Sequence, residues 1–195
     1  MKKRREINDT FCKKEDAHEI APLILVILND MELPFLQKYG TTKTLEILEE
    51  AITDPTYRYS YTRGIVEELD GKVAGVAYGY TDADEPFIDK PLEKILKKHG
   101  IEETEQLFID QETFPNEWYL DSISVSEKFR GHGIGSKLLS ALPKLAEKEK
   151  RKVIGLSVDE QNPKAKKLYE RHGFKVVGQR IISGHLYDHM QKTLD

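Results

Sequence analysis

Residues 118–140 of the chain read WYLDSISVSEKFRGHGIGSKLLS and combine three local patterns. Trp118–Val125 is rich in β-formers that alternate in polarity, which favours a strand. Arg130–Gly135 is a glycine-rich turn, and apolar residues at helical spacing follow from Ile134. The first amides of a helix have no intrahelical partner and carry partial positive charge, so they bind anions. The stretch therefore predicts a binding site for a diphosphate.

The glycine spacing excludes two common nucleotide-binding motifs. A Walker A loop, G-x-x-x-x-G-K-[ST], that starts at Gly131 requires a glycine where the chain has Ser136. A dinucleotide fingerprint, G-x-G-x-x-G, meets Ser136 when it starts at Gly131 and Leu138 when it starts at Gly133. The predicted diphosphate therefore belongs to neither of these nucleotide classes.

The pattern that remains is R-x-x-G-x-G at residues 130–135, after a strand that ends in Ile-Ser-Val. It resembles the acetyl-CoA signature of the GNAT superfamily of N-acetyltransferases, [QR]-x-x-G-x-[GA]. Residues 159–174, DEQNPKAKKLYERHGF, resemble the second signature of that superfamily. The local sequence around Tyr119–Asp121 and after Arg130 is similar to that of small-amine and polyamine N-acetyltransferases. The resemblance is strong over residues 118–174 and elsewhere rests on the order of elements.

Length and composition limit the classes of protein to consider. At 195 residues, 38% hydrophobic and 33% charged, the chain is typical of one globular domain. Its formal net charge of −4 gives no reason to expect nucleic acid as a partner. Cys12 is the only cysteine, so no intrachain disulfide can form and a reducing cytoplasm fits best. The most apolar run, Ile20–Leu28, is too short to span a bilayer. We expect a cytoplasmic protein that does not insert in a membrane.

The predicted elements follow the order β-α-α-β-β-β-α-β-α-β-β, which is the GNAT architecture. Asp70-Gly71 between two apolar runs is the clearest hairpin signal. The resemblance implies an α/β (α+β) fold: a mixed, mostly antiparallel, twisted sheet of about seven strands with flanking helices, whose fourth and fifth strands are parallel and splayed around the cofactor. The predicted strands are Ile7–Cys12, Gly64–Leu69, Lys72–Tyr80, Trp118–Val125, Val153–Val158, Phe174–Ile182 and Leu186–Lys192; the main helices are one through Ile20–Leu28, Thr41–Ile52, one from Ile134, and Lys164–His172.

Residues 81–117 are acidic and contain several prolines, and we interpret them as an insertion in a single domain that spans residues 1–195. One short amphipathic helix is predicted around Leu92–Leu96, ended by His99-Gly100. Two interpretations of the segment stay open. It helps to form the acceptor pocket, or it is a solvated acidic excursion.

The resemblance implies acetyl-CoA as the cosubstrate. A bulge near Ile123–Val125 would bind the pantetheine arm through its backbone and leave one N–H facing the thioester carbonyl. Main-chain amides of Arg130–Ser136 would hold the pyrophosphate. Asn162 would contact the pantetheine, although capping of the next helix also explains this residue and both roles are compatible. The implied cofactor-binding residues are Ile123, Ser124, Val125, Arg130, Gly131, His132, Gly133, Ile134, Gly135, Ser136, Asn162, Ala165 and Tyr169.

The implied chemistry is the attack of a neutral amine on a thioester. By resemblance, Tyr169 would place its phenol near the sulfur as general acid; the alternative is a core tyrosine on an amphipathic helix. The base would be Asp121 or Glu117, which share one strand face with Tyr119 by alternation. Asp121 is favoured. In a further alternative neither accepts the proton, and both make the pocket acidic enough to attract an ammonium group.

Three other features are weaker candidates for function. Cys12 as a nucleophile needs a positioned base, so core packing is favoured. His185 and His189 are four residues apart but lie in strand-like sequence, so no metal site is predicted. The aromatic run Tyr57–Tyr61 fits packing against an edge strand better than the mouth of a substrate site.

We therefore predict an N-acetyltransferase that transfers an acetyl group from acetyl-CoA to a primary amine of a small molecule, by direct transfer in a ternary complex. Two alternatives remain. One is a protein lysine or N-terminal acetyltransferase, and the other is a non-catalytic acyl-CoA-binding sensor or interaction protein with the same fold. No metal cofactor is expected, and a homodimer is left open.

Overall fold

One sheet of seven strands organises the computed structural model, which describes residues 7–102 and 105–195, with the backbone alone for residues 7–9. The strands are β1 (Ile7–Phe11), β2 (Gly64–Leu69), β3 (Lys72–Thr81), β4 (Trp118–Val125), β5 (Val153–Asp159), β6 (Lys175–Ile182) and β7 (His185–Thr193). Their spatial order is β1-β2-β3-β4-β5-β7-β6. All neighbours are antiparallel except β4 and β5. This confirms the predicted sheet. Residues 1–6 of the predicted domain, and 103 and 104 of the predicted insertion, lie outside the described residues.

The helices of the described ranges flank this sheet. They are α1 (Ala17–Asp30), α2 (Pro34–Ile52), α3 (Lys90–Lys98), α4 (Ile134–Lys148) and α5 (Pro163–Arg171). The predicted second helix, Thr41–Ile52, is confirmed as the part of α2 that follows Gly40. The sequence prediction missed the turns before it, which begin at Pro34, where the missing N–H of proline costs nothing. A break at Gly40, with φ 79° and ψ 167°, separates the added turns from the predicted ones. No described helix is long and apolar enough to cross a membrane.

Apolar side chains pack on both faces of the sheet. Ile24 of α1 and Leu48 of α2 belong to a buried cluster that includes Val76 of β3. Leu138 of α4 belongs to a second cluster that includes the next residue of β3, Ala77. Because consecutive residues of a strand point to opposite faces, the two clusters lie on opposite sides of the sheet.

Cys12 and two tyrosines lie in the cluster beneath α1. Cys12 is buried, and burial raises the pKa of its thiol to about 12, which confirms core packing over a nucleophilic role. Tyr57 and Tyr59 are also fully buried, in the loop between α2 and β2. The Tyr59 ring packs edge-on against Tyr78 of β3 at 5.6 Å. The prediction of packing against an edge strand is wrong, since β3 lies between β2 and β4.

The segment between β3 and β4 is tied to the sheet by hydrogen bonds. The Tyr119 hydroxyl of β4 donates to the Glu112 carboxylate at 2.9 Å, and within the segment the Glu85 carboxylate accepts the amide of Glu112 at 2.6 Å. Arg180 of β6 donates to the carbonyl of Thr113 at 2.7 Å. The same segment carries the predicted amphipathic helix, α3. These contacts contradict the interpretation as a solvated excursion and leave the segment beside the end of β4.

The β-bulge of β4 lies at Asp121 and not, as predicted, at Ile123–Val125. Leu120 pairs with Gly79, and Ser122 pairs with the adjacent residue of β3, so Asp121 is the extra residue. A Cβ on Gly79 would lie 2.3 Å from a carbonyl oxygen of β4. Only glycine therefore allows the two strands to approach this closely where the register shifts.

Replacing Gly79 with alanine should lower the free energy of unfolding by roughly 1–3 kcal/mol, because the added methyl group overlaps the β4 backbone and the Trp118 ring. Urea denaturation measures this change. The control is Val177→Ala on β6, where the valine is exposed, and it should alter stability by about 0.5 kcal/mol or less. Equal stability of Gly79→Ala and wild type would contradict the close approach of β3 and β4.

Candidate active site

β4 and β5 pair over only three residues, ending at Leu120 and Leu156, and then diverge. β4 continues to Val125 along β3, and β5 continues to Asp159 along β7. A cavity of about 160 Å³ lies where they separate. Its polar lining is formed by Glu112, Tyr119, Asp121, Ser122, Ser157, Tyr169 and Tyr187. The predicted parallel pair is confirmed, and the cavity occupies the gap between its diverging ends.

Ile123–Val125 form the part of β4 beyond the point of divergence. On one side they pair regularly with β3. On the side that faces β5, the described register of paired residues has already ended. Ile123 also lines the cavity. Backbone groups on this edge are therefore available to a ligand that enters the gap.

The glycine-rich turn forms the N-terminus of α4. Gly131 and Gly133 have φ angles of 79° and 76°, which residues with a Cβ rarely adopt. The amide of Lys137 closes the first turn of the helix by donating to the Gly133 carbonyl at 3.1 Å, so the amides before it point out of the helix end. A Cβ on either glycine would meet no atom within 4 Å. This open space above outward-pointing amides fits a diphosphate.

The side chains of this turn make local contacts. Arg130 is well exposed and lies 3.4 Å from Glu127. The His132 ring nitrogen Nδ1 lies 3.1 Å from a carbonyl oxygen of the same turn. The Ser136 hydroxyl lies 3.2 Å from Nε2 of His172. The structure thus brings the predicted turn residues together, with these side chains in contact with nearby residues.

α5 carries the second predicted group of cofactor residues. The Asn162 side chain accepts the amide of Ala165 at 3.1 Å, so it caps the helix as one of its two predicted roles requires. Tyr169 is buried on the inner face and lines the cavity. Its hydroxyl has no hydrogen-bond partner among the residues that the structure describes. Burial raises the pKa of Tyr169 to about 12, so the phenol keeps its proton.

A buried arginine, Arg58, lies beside the cavity in the loop between α2 and β2. Its Nε and Nη2 atoms donate to both oxygens of Asp89, at 3.0 and 2.8 Å. Its Nη1 atom donates to the Tyr80 hydroxyl at 2.7 Å and to Asp121 at 2.5 Å. The guanidinium also stacks 4.2 Å from the centre of the Phe108 ring. Asp121, the favoured base from the sequence, is therefore ion-paired inside the protein.

Glu112 is a third carboxylate at this guanidinium and also lines the cavity. Its side chain is buried. Oε2 accepts the Tyr119 hydroxyl at 2.9 Å, and Oε1 lies 3.7 Å from Nη1 of Arg58. Burial first, and then the nearby Asp121 carboxylate, raise the pKa of Glu112 to about 8. The proton of this carboxyl group is thus exchanged close to neutral pH.

Glu117, the other predicted base, does not line the cavity. Its side chain is fully buried. Oε1 accepts the amide of Phe114 at 2.7 Å, and Oε2 accepts Gln191 at 2.7 Å and lies 3.0 Å from Nε2 of His189. The other ring nitrogen of His189 lies 3.2 Å from the hydroxyl of Ser157. Tyr119 and Asp121 line the cavity, whereas Glu117 is connected to it through His189 and then Ser157.

The sequence predictions missed Arg58 and Glu112. Arg58 is flanked by Tyr57 and Tyr59, and an arginine between tyrosines could have suggested a buried cation held by aromatic rings. Glu112 is one of many acidic residues between β3 and β4, and no periodic pattern there distinguishes it. Within residues 7–102 and 105–195, no group of three or more His, Cys, Asp or Glu side chains could hold a metal ion.

Residues 26–174 match the acetyltransferase (GNAT) family, which is more than half of the chain. The chain belongs to this GNAT family. A crystal structure of an acetyltransferase is 53% identical, with a TM-score of 0.89 over 96% of this chain and 100% of that one. An N-acetyltransferase from Staphylococcus aureus Mu50 is 29% identical, with a TM-score of 0.83 over 95% and 100% of the two chains. The recognition of the GNAT family and fold from the sequence is confirmed.

A curated relative, the spermine/spermidine N(1)-acetyltransferase of Bacillus subtilis (strain 168), is 42% identical over 67 residues. The match covers 34% of this chain and 44% of that protein, so the chain spans less than half of the relative's length. The GNAT match and these names also support the prediction of an acetyl-CoA-dependent N-acetyltransferase.

Gly133→Val should weaken acetyl-CoA binding at least about tenfold, because the valine enters the open space above the turn and is strained at φ 76°. Isothermal titration with acetyl-CoA measures the affinity. Gly100→Val is the matched control, since Gly100 has φ 74° and the same open surroundings after α3. It should share the strain and keep the affinity. Wild-type affinity in Gly133→Val would contradict the diphosphate site.

Proposed function

We propose that the chain transfers an acetyl group from acetyl-CoA to a primary amine of a small molecule, by direct transfer in a ternary complex. One observation carries this proposal. The cavity between the diverging ends of β4 and β5 is lined both by the phenol of Tyr169 and by the carboxylates Glu112 and Asp121. A phenol that can donate a proton and two carboxylates therefore face one small space.

The described residues fit acetyl-CoA. The outward amides of Arg130–Ser136 would hold the pyrophosphate, and the Gly131 and Gly133 positions leave room for its close approach. The free edge of β4 at Ile123–Val125 would bind the pantetheine arm and supply an N–H to the carbonyl oxygen. Asn162 uses its side-chain oxygen for the helix cap, so its amide group would make the pantetheine contact. The bound cosubstrate supplies the thioester that the amine attacks.

Tyr169 would donate a proton to the leaving thiolate. Its phenol is buried and stays protonated because its pKa is raised. With no described partner, the hydroxyl can turn towards the sulfur. Packing alone is the alternative role, as for the core tyrosines Tyr57 and Tyr78, whose buried hydroxyls also have no partner among the described residues. Tyr169 differs from them because it lines the cavity.

The charge around the cavity supports a cationic acceptor. Arg58, which donates a hydrogen bond to the cavity residue Asp121, lines a second cavity of about 580 Å³, where carboxylates outnumber cations. Its acidic lining is formed by Glu85, Asp89, Glu93, Glu105 and Asp110. An extended polyamine, the substrate class in the name of the Bacillus subtilis relative, carries several positive charges that such a lining attracts. The tethered segment between β3 and β4 favours a small amine over a peptide.

An amine panel tests the proposed function by release of free CoA thiol. We expect saturable turnover with spermidine or spermine, and none when the amine is omitted. Initial rates at several concentrations of both substrates should give intersecting reciprocal plots, as a ternary complex requires. Acetyl-CoA binding without thiol release from any amine, lysine or N-terminal peptide would support the sensor alternative instead. Turnover with peptides alone would support a protein acetyltransferase.

Tyr169→Phe should lower kcat roughly tenfold or more and leave acetyl-CoA affinity within about twofold of wild type, because it removes the proton donor but keeps the ring. Steady-state kinetics and titration calorimetry measure the two values. Tyr61→Phe, at a half-buried tyrosine outside the cavity lining, is the control and should keep wild-type kcat. An unchanged kcat in Tyr169→Phe would remove this residue from the mechanism.

A further inference from the structure

We propose that Glu112, on the segment between β3 and β4, is the catalytic residue that accepts the proton of the substrate amine. The inference rests on the proposed function and names a residue outside the β4 strand. Glu112 lines the same cavity as Tyr169, and its segment is held by hydrogen bonds from Tyr119 of β4 and Arg180 of β6.

The carboxylates predicted from the sequence are already engaged by other groups. Asp121 is bound through Oδ1 by Arg58 and through Oδ2 by the Ser122 hydroxyl at 2.8 Å. Glu117 accepts two hydrogen bonds, contacts His189 and lies behind the cavity wall. Glu112 has one close donor, the Tyr119 hydroxyl, and its Oε1 atom is 3.7 Å from the guanidinium. Of the three, it has the oxygen that is least committed.

The surroundings of Glu112 make it a stronger base than an ordinary carboxylate. One guanidinium, Arg58, is shared with Asp89 and Asp121, so negative charge is in excess when Glu112 is ionised. This excess and burial favour the protonated form. A base that takes up a proton near the working pH is the most effective. The titratable and charged groups that face it are Arg58 from the α2–β2 loop, Tyr80 from β3, Glu85 from its own segment, Tyr119 and Asp121 from β4, and Tyr187 from β7.

The proton balance follows from these positions. The ammonium group of the substrate gives one proton to the Glu112 carboxylate and becomes a neutral amine. Its lone pair forms the C–N bond to the thioester carbon, and the C–S bond breaks after the tetrahedral intermediate. The second proton leaves the nitrogen as the amide forms, and the departing thiolate takes a proton from Tyr169. Glu112 then returns its proton to solvent, and Tyr169 recovers one from the nitrogen or from solvent.

The test compares Glu112→Gln with wild type, using spermidine and acetyl-CoA over a range of pH. We expect kcat/KM to fall about 100-fold near neutral pH, with acetyl-CoA affinity unchanged. In wild type kcat/KM should rise with pH as Glu112 loses its proton, and the variant should lack this rise. Its deficit should narrow only as pH approaches the pKa of the free amine, about 10.4 for a lysine-like group. Glu102→Gln is the control, since Glu102 is an exposed carboxylate of the same segment.

The variant Asp121→Asn distinguishes between Glu112 and Asp121 as the residue that accepts the proton. Because Asp121 raises the pKa of Glu112, its removal should move the pH-dependent rise to lower pH and keep it. Complete loss of the rise in Asp121→Asn, with the rise kept in Glu112→Gln, would overturn the inference in favour of Asp121. If Glu112→Gln does not fold, Glu112→Asp decides: retraction of the carboxylate by one methylene should lower kcat at least tenfold, and wild-type kcat would contradict the inference.

Different experimental results would overturn the inference about Glu112 and the proposed function. Wild-type kcat/KM and an unchanged pH profile in Glu112→Gln, while wild type acetylates spermidine, would overturn the inference alone. No turnover of wild type with any amine would overturn the proposed function and this inference with it.

Discussion

The divergence of β4 and β5 is the constraint on which the site depends. The two strands share three residue pairs, and each then follows its antiparallel neighbour on the other side, β3 or β7. The resulting gap exposes one edge of β4 in the middle of the sheet. The chain leaves β4 through the turn that opens α4, and it leaves β5 through Asn162 at the start of α5. The glycine-rich turn and the helix that carries Tyr169 therefore each follow one strand of the diverging pair.

The second determinant is electrostatic. Burial of a guanidinium is costly unless its donors are satisfied. Arg58 meets this condition with Asp89, Asp121 and the Tyr80 hydroxyl, which come from three separate parts of the chain. One cation among several carboxylates leaves negative charge in excess. Burial first, and then the neighbouring Asp121 carboxylate, raise the pKa of Glu112. The same interactions thus hold the acceptor side together and determine its charge.

The two halves of the site have different origins. The cofactor half consists of β4, the glycine turn and α5, which are consecutive elements of the strand–helix–strand unit and the helix after it. The acceptor half is built from the loop before β2 and from the segment between β3 and β4, through Arg58, Asp89 and Glu112. The acidic segment, for which the sequence left two interpretations open, supplies Glu112 to the cavity.

The sequence by itself determined the family, the strand order and parallel pair that the family implies, and the glycine-rich turn that opens α4. Glycine spacing at residues 131–135 and the cap at Asn162 act between residues a few positions apart, so local patterns report them. The sequence did not determine which carboxylate reaches the cavity. That depends on the bulge at Asp121, on the layer in which Glu117 is buried, and on contacts such as Arg58 with Asp121, which are 63 residues apart. Only the tertiary structure decided these points, because the register of β3 against β4 and the packing of distant loops are set by side-chain contacts that leave no periodic trace in the sequence.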